Sequence, residues 1–128
     1  MDVLIIDDSA AIRKILRRVL QHTELTLGNV HEAGDGVEAL TCLRDNKVNL
    51  ILSDINMPNM DGLQLLGELK GNAEWKDIPV VMITTEGSQA KVLEAMELGA
   101  VGYVRKPFTA GQIQEKLTGV NLIRKGTD

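Results

Sequence analysis

The sequence predicts a doubly wound α/β fold, an open sheet of five parallel strands with helices on both faces. Three observations lead there. Short apolar runs such as Val3 to Ile6 and Leu50 to Leu52 are bounded by turn residues or carboxylates, as buried strands are. Each strand candidate is followed by a segment whose apolar residues recur at helical spacing. The alternation repeats five times in 128 residues, and strict β-α alternation implies parallel strands joined by right-handed crossovers. A closed eight-fold barrel needs about twice this length, so the sheet is open.

Taken in order, Val3 to Ile6 stops at Asp7 and Asp8 and makes strand one. From Ser9, the residues Ile12, Ile15, Leu16, Val19 and Leu20 form the stripe of an amphipathic helix. Arg13, Lys14, Arg17 and Arg18 fall on its other face, expected to be solvated. Gly28 to Glu32 is a weak second strand, and Gly34-Asp35-Gly36 a turn. Val37, Ala39, Leu40 and Leu43 give a second helix ending near Asn46. Strand three is Leu50 to Ser53, followed by Asp54. Asp61 can cap a third helix with Gln64 three residues on, its stripe being Leu63, Leu66 and Leu69 with Leu65 beside it. Pro79 to Ile83 is strand four, with Pro at the first residue where no ladder donor is lost. Helix four carries Val92, Leu93 and Met96, and Gly99 suits its C′ position. Val101 to Val104 is strand five. Thr109 and Gln112 form a possible capping box for helix five, which turns Ile113, Leu117 and Val120 inward.

Composition narrows the function. The chain is 44% hydrophobic and 25% charged, ordinary for one soluble domain. One Trp, one Tyr and one Phe leave the core to aliphatic residues. A formal charge of −4 argues against a nucleic-acid surface. Cys42 is alone, so no disulfide or thiol metal site is expected, and it is read as a small packed hydrophobe. No segment approaches the ~18 apolar residues of a membrane span, and the N-terminus lacks a signal peptide's pattern. A cytoplasmic protein is expected.

The carboxyl ends of parallel strands share one edge, where open α/β sheets carry their ligand chemistry. Here that edge collects Asp7 and Asp8 from strand one, Asp54 from strand three, Thr84 after strand four and Lys106 after strand five. Individually each has a plain structural role: a helix cap for Asp7-Asp8, a turn residue, strand-end threonines, a surface lysine. Together they make complementary chemistry. Three converging carboxylates require positive charge, which a hard divalent ion such as Mg²⁺ supplies through oxygen ligands. Lys106 adds a fixed cation. Carboxylates, Mg²⁺, ammonium and hydroxyl are the parts of phosphoryl transfer, in which aspartate can be the covalent nucleophile. Asp54, alone on the central strand, is the candidate nucleophile.

These residues resemble a family. Ile5-Ile6-Asp7-Asp8, Ser53-Asp54-Ile55-Asn56-Met57-Pro58-Asn59-Met60-Asp61-Gly62, Ile83-Thr84-Thr85-Glu86 and Gly102-Tyr103-Val104-Arg105-Lys106-Pro107-Phe108 are similar to the four motifs of response-regulator receiver domains, the phosphoacceptor modules of bacterial two-component signalling. The likeness spans residues 2 to 123 and is strongest to the stand-alone, chemotaxis-type (CheY-like) regulators. It implies the flavodoxin-like three-layer α/β/α fold with strand order 2-1-3-4-5. It also implies that Asp54 accepts a phosphoryl group from a sensor histidine kinase, a phosphotransfer protein or a small donor such as acetyl phosphate. Asp8, Asp54 and the Asn56 backbone carbonyl would bind Mg²⁺ (Mn²⁺ could substitute), with Asp7 acting through a water, and Lys106 would contact the acyl phosphate. Thr84 and Tyr103 would be the switch pair, changing the helix 4–strand 5–helix 5 face for a protein target. Asn56 and Glu86 would tune dephosphorylation, and Lys106-Pro107 would be cis. The chain would be a single receiver domain, monomeric when unphosphorylated, and not an enzyme in its own right. Ile55 stands where the best-known chemotaxis relative has Trp.

Two rivals fail on specific positions. A haloacid-dehalogenase-type phosphatase wants a second Asp two residues after its nucleophile, where Asn56 stands. A flavodoxin wants a Ser/Thr/Gly-rich phosphate loop after strand one, where Asp7-Asp8 would repel phosphate. Met1 and the short tail favour a stand-alone regulator over a receiver fragment of a longer one, and the sequence does not decide between a motility target and a phosphorelay intermediate.

Overall fold

The computed structural model describes residues 1–85 and 88–122. The chain runs β1 (Val3–Ile6), α1 (Ala10–Gln21), β2 (Val30–Ala33), α2 (Gly36–Asp45), β3 (Leu50–Ser53), α3 (Gly62–Lys70), β4 (Val80–Thr84), α4 (Gln89–Glu97), β5 (Gly102–Arg105) and α5 (Ala110–Gly119). All strand pairs are parallel, in the order β2-β1-β3-β4-β5. The expected fold class and strand order are both present.

The two-residue period of the strands divides the core into two layers. Leu4, Ile6, Ile51, Val80 and Met82 pack with Leu40 and Leu43 of α2, Leu65, Leu66 and Leu69 of α3, and Ala95 of α4. Val3, Ile5, Leu50, Leu52, Val81 and Ile83 point the other way, against Leu16 and Leu20 of α1 and Ile113 and Leu117 of α5. Residues of β1, β3 and β4 are buried whichever way they point, as the continuous apolar runs require. Burying one such Leu or Ile is worth about 1.5–3 kcal/mol, so these two layers dominate the stability.

Boundaries shift where the ladder overrides local pattern. Strand two begins at Val30, because Gly28 and Asn29 are engaged with Met1 O and Asp2 Oδ1 as a lead-in. Strand four takes in Thr84 and leaves Pro79 outside, and strand five runs one residue later than expected.

Helix faces need more correction. Ile15 and Val37 are exposed rather than inward. In α3, Leu65 is fully buried and Leu63 only half-buried. Ala95 is the buried residue of α4, while Leu93 and Met96, two of the apolar residues read on this helix, are 60% and 40% exposed. Val120 is the half-buried C-cap of α5 rather than an interior residue. Gly99 follows α4 with φ +108, the left-handed geometry expected of C′. Both capping boxes, Asp61/Gln64 and Thr109/Gln112, are formed. The basic face of α1 is only partly solvated, because Arg13 and Arg17 bind Glu32 at the end of β2. Cys42 is half-buried and packs against the first layer; burial pushes its thiol pKa up.

Candidate functional site

The site lies where β1, β3, β4 and β5 end. Parallel register aligns Ile6 with Ser53 and Thr84 with Arg105, so the residues that follow emerge side by side. Asp7 leaves β1 almost fully buried. Its backbone N–H donates to Ala33 O at 3.1 Å, and its Oδ1 accepts from Ser9 N–H at 2.9 Å. Ser9, not the Asp pair, caps α1, its Oγ accepting from Ile12 N–H. Arg13 donates from Nη1 to the Asp7 carbonyl at 2.6 Å, securing the turn out of β1.

Asp54 leaves β3 with its N–H on Ile6 O at 2.9 Å. Its side chain is buried; Oδ1 accepts from Ile55 N–H at 2.7 Å. Lys106, one residue past β5, bridges the two carboxylates: Nζ is 2.5 Å from Asp7 Oδ2 and 3.0 Å from Asp54 Oδ2. Burial alone would lower the Lys106 pKa; the hydrogen bonds to Asp7 and Asp54, with their charges, outweigh it and leave it raised. Lys106 is therefore a permanent cation at neutral pH. The peptide bond that follows, Lys106-Pro107, is cis.

One carboxylate oxygen from each of Asp7, Asp8 and Asp54 lies within 4.8 Å of the others. Asp8 is exposed while its two neighbours are buried, so the cluster opens to solvent on one side. An all-oxygen donor set with an open side suits Mg²⁺ or Mn²⁺, which retain waters and phosphate oxygens in their coordination shells. One ammonium against three carboxylates leaves excess negative charge for such an ion to neutralise.

Thr84 ends β4 wholly buried. Tyr103, on β5, is 40% exposed with Lys116 Nζ 5.9 Å from its ring centroid. Asn56 is an exposed residue of the β3–α3 loop. Glu86 lies outside the described residues. Beyond the site, Leu93 and Met96 of α4, Val101 in the turn before β5 and Tyr103 of β5 are exposed apolar residues. A groove of ≈ 540 Å³ lies between Tyr103, Arg105 and Pro107 on one side and Gln112, Glu115 and Lys116 on the other.

Three contributors escape sequence reasoning. Gly62 permits the first turn of α3 to approach β3, since a Cβ there would lie 2.2 Å from Asp54 O. Arg13 is described above. Asp35 and Asn59 hydrogen-bond each other across 24 residues of sequence. Asn59 and Gly62 lie in the receiver-like motif, Asp35 in a turn and Arg13 on a basic helix face, but none of these signals names its partner.

Residues 3–118 match the model of the response regulator receiver domain family. The chemotaxis protein CheY-3 of Vibrio cholerae is 39% identical over 117 residues, covering 91% of this chain and 88% of that protein. A chemotaxis protein CheY homolog of Campylobacter jejuni is 40% identical over 121 residues, covering 94% and 92%. Among solved structures, the chemotaxis response regulator CheY4 of Vibrio cholerae superposes with a TM-score of 0.82 at 34% identity, over 93% of this chain and 97% of that one. The Mn²⁺-bound form of the response regulator Rcp1 superposes with a TM-score of 0.78 at 28% identity, over 93% and 90%. With the motif order, the sheet topology and the acidic cluster in agreement, the chain belongs to the response regulator receiver domain family of two-component signalling.

Proposed function

We propose that this protein is a phosphorylation-activated switch of the chemotaxis type, with Asp54 as the phosphoacceptor. The observation that carries the reading is the Lys106 ammonium held between Asp7 and Asp54 beside an open three-carboxylate cluster. An Asp54 carboxylate oxygen attacks phosphorus in line with the leaving group. The bond from phosphorus to the kinase or phosphotransfer-protein histidine nitrogen breaks, and an acyl phosphate forms on Asp54. Lys106, already fixed within reach, pairs with the oxygens of the incoming phosphoryl group.

Asp8, Asp54 and the Asn56 carbonyl would hold Mg²⁺, with Asp7 acting through a water. When bound, the ion supplies neutralising charge to the phosphoryl oxygens. The Thr84 hydroxyl then turns toward the phosphoryl group and Tyr103 moves inward behind it. This is a local charge change biasing a two-state element. The exposure of the apolar residues Leu93, Met96, Val101 and Tyr103 supports α4–β5–α5 as the surface read by a protein target. Asn56 and Glu86 would set the lifetime of the acyl phosphate. The protein is a signalling component that assists its own phosphorylation and dephosphorylation. Among the described residues no helix is long and apolar enough to cross a membrane.

The test is mass spectrometry after incubation with Mg²⁺ and acetyl phosphate, with cognate-kinase transfer in parallel. A single hydroxylamine-labile phosphoryl adduct on the wild type, absent from Asp54→Asn, is expected. No adduct from either donor refutes the reading.

A further inference from the structure

The loop from Asp54 to Gly62 carries the Asn56 carbonyl and is anchored at two places. Gly62 N–H returns to Ile55 O at 2.7 Å and closes the loop's base. The far limb is anchored elsewhere, on the N-terminus of α2. Asn59 donates from Nδ2 to Asp35 Oδ2 at 2.7 Å, and Met60 O accepts from Gly36 N–H at 3.0 Å. Asn59 adopts φ 64, a left-handed conformation that Asn tolerates better than most residues. Gly36 is needed because a Cβ there would fall 2.8 Å from Met60 Cβ.

Asp35 is buried and divides its oxygens between two duties: Oδ1 accepts from Glu38 N–H at 2.9 Å and caps α2, while Oδ2 holds the loop. A cap needs only the first. The second oxygen spends a buried carboxylate on a contact 24 residues away, and a charge-assisted hydrogen bond of that kind is among the stronger ones available.

We infer that the Asp35–Asn59 pair is a positioning device that holds the β3–α3 loop, and with it the Asn56 carbonyl, in the geometry required to bind the divalent cation and accept the phosphoryl group. The inference rests on the phosphoacceptor reading above and deepens it, since neither residue touches the site itself. A loop free at its far limb would have to be ordered each time the ion binds, and that cost would appear as weaker affinity. Residues that orient metal ligands from behind them typically cost about 10- to 100-fold in metal affinity when removed. The indirect route through loop backbone places this pair at the lower end, about tenfold.

Three variants separate positioning from folding. Asn59→Gly keeps the left-handed backbone while removing the amide. Asp35→Ser keeps an N-cap for α2 but is too short to reach Asn59. The exchange Asp35→Asn with Asn59→Asp swaps donor and acceptor and restores the bond. Titration calorimetry with Mg²⁺ on the unphosphorylated protein, alongside urea unfolding, gives the readout. Asn59→Gly and Asp35→Ser should each raise the Mg²⁺ Kd about tenfold, their combination should be no worse than either, and the exchange should recover most of the affinity. Wild-type Mg²⁺ affinity in Asn59→Gly, or unfolding midpoints that shift while every Kd stays unchanged, overturns the positioning role alone. A wild-type protein that binds no Mg²⁺ overturns the phosphoacceptor reading with it.

Discussion

Replacing Asp54 by Asn should make the metal-free protein more stable. The carboxylate oxygens of Asp7, Asp8 and Asp54 lie within 4.8 Å of one another, so Asp54 repels each neighbour by ~3.5 kcal/mol at an effective dielectric of about 20. Its attraction to Lys106 across 3.0 Å is worth ~5.5 kcal/mol on the same footing. Two repulsions outweigh one attraction, and Lys106 keeps Asp7 as a partner. The amide also retains an oxygen for Ile55 N–H. On these figures the net gain is about 1.5 kcal/mol. The assay is urea unfolding with and without Mg²⁺, followed by circular dichroism. Wild type should gain about 2.7 kcal/mol when Mg²⁺ stands at a hundred times its Kd, and Asp54→Asn should lose most of that increment. The order of stability then reverses between the two conditions. A metal-free Asp54→Asn protein less stable than wild type by 1 kcal/mol or more, as estimated at this dielectric, would refute the charge-crowding argument. So would an undiminished response to Mg²⁺.

Further outcomes follow from neighbouring contacts. Gly62→Ala places a Cβ 2.2 Å from Asp54 O and 2.9 Å from Ile55 Cα. Backbone cannot give way as a side-chain tip can, so a loss of about 3 kcal/mol in urea unfolding is expected, with phosphorylation by acetyl phosphate slowed. For Lys106 the sign of the pH effect is fixed by its raised pKa. The ammonium's contribution is fully present below its ordinary value of 10.5 and lost as pH rises through the higher folded-state value. The stability difference between wild type and Lys106→Met should therefore be flat through neutral pH and shrink at the alkaline end as the ammonium is lost. Asp35 shows the opposite sign. The Asn59 hydrogen bond, then the Glu38 N–H, holds its pKa below the ordinary 3.8, so its stabilisation is present above that value and lost as pH falls through the lower folded one. Asn59→Gly should thus lose stability relative to wild type near neutrality and converge with it in acid.

Some of this protein is legible without coordinates, and the reason is periodicity. Val3 to Ile6 and Leu50 to Ser53 declare themselves as doubly buried strands, because a parallel sheet covered on both faces demands unbroken apolar runs. Their ends declare the site, since parallel strands bring every carboxyl terminus to one edge and Asp7, Asp8, Asp54, Thr84 and Lys106 all sit there. Caps are local and were equally readable at Asp61 and Thr109.

What the sequence could not decide depends on where each helix sits. An apolar stripe shows that a helix has a buried face, but its rotation is set by packing against the sheet. Hence Ala95 turns in while Leu93 and Met96 turn out, and Leu65 displaces Leu63. The same limit hid the groups that hold the site from behind. Asp35 and Asn59, Arg13 and the Asp7 carbonyl, and Gly62 beneath Asp54 are pairings of residues whose own neighbours in sequence give no hint of the partner. Sequence alone determined the chemistry assembled at the strand ends, because that follows from connectivity. Only the tertiary structure decided its mounting, because that follows from distances between elements that no periodicity encodes.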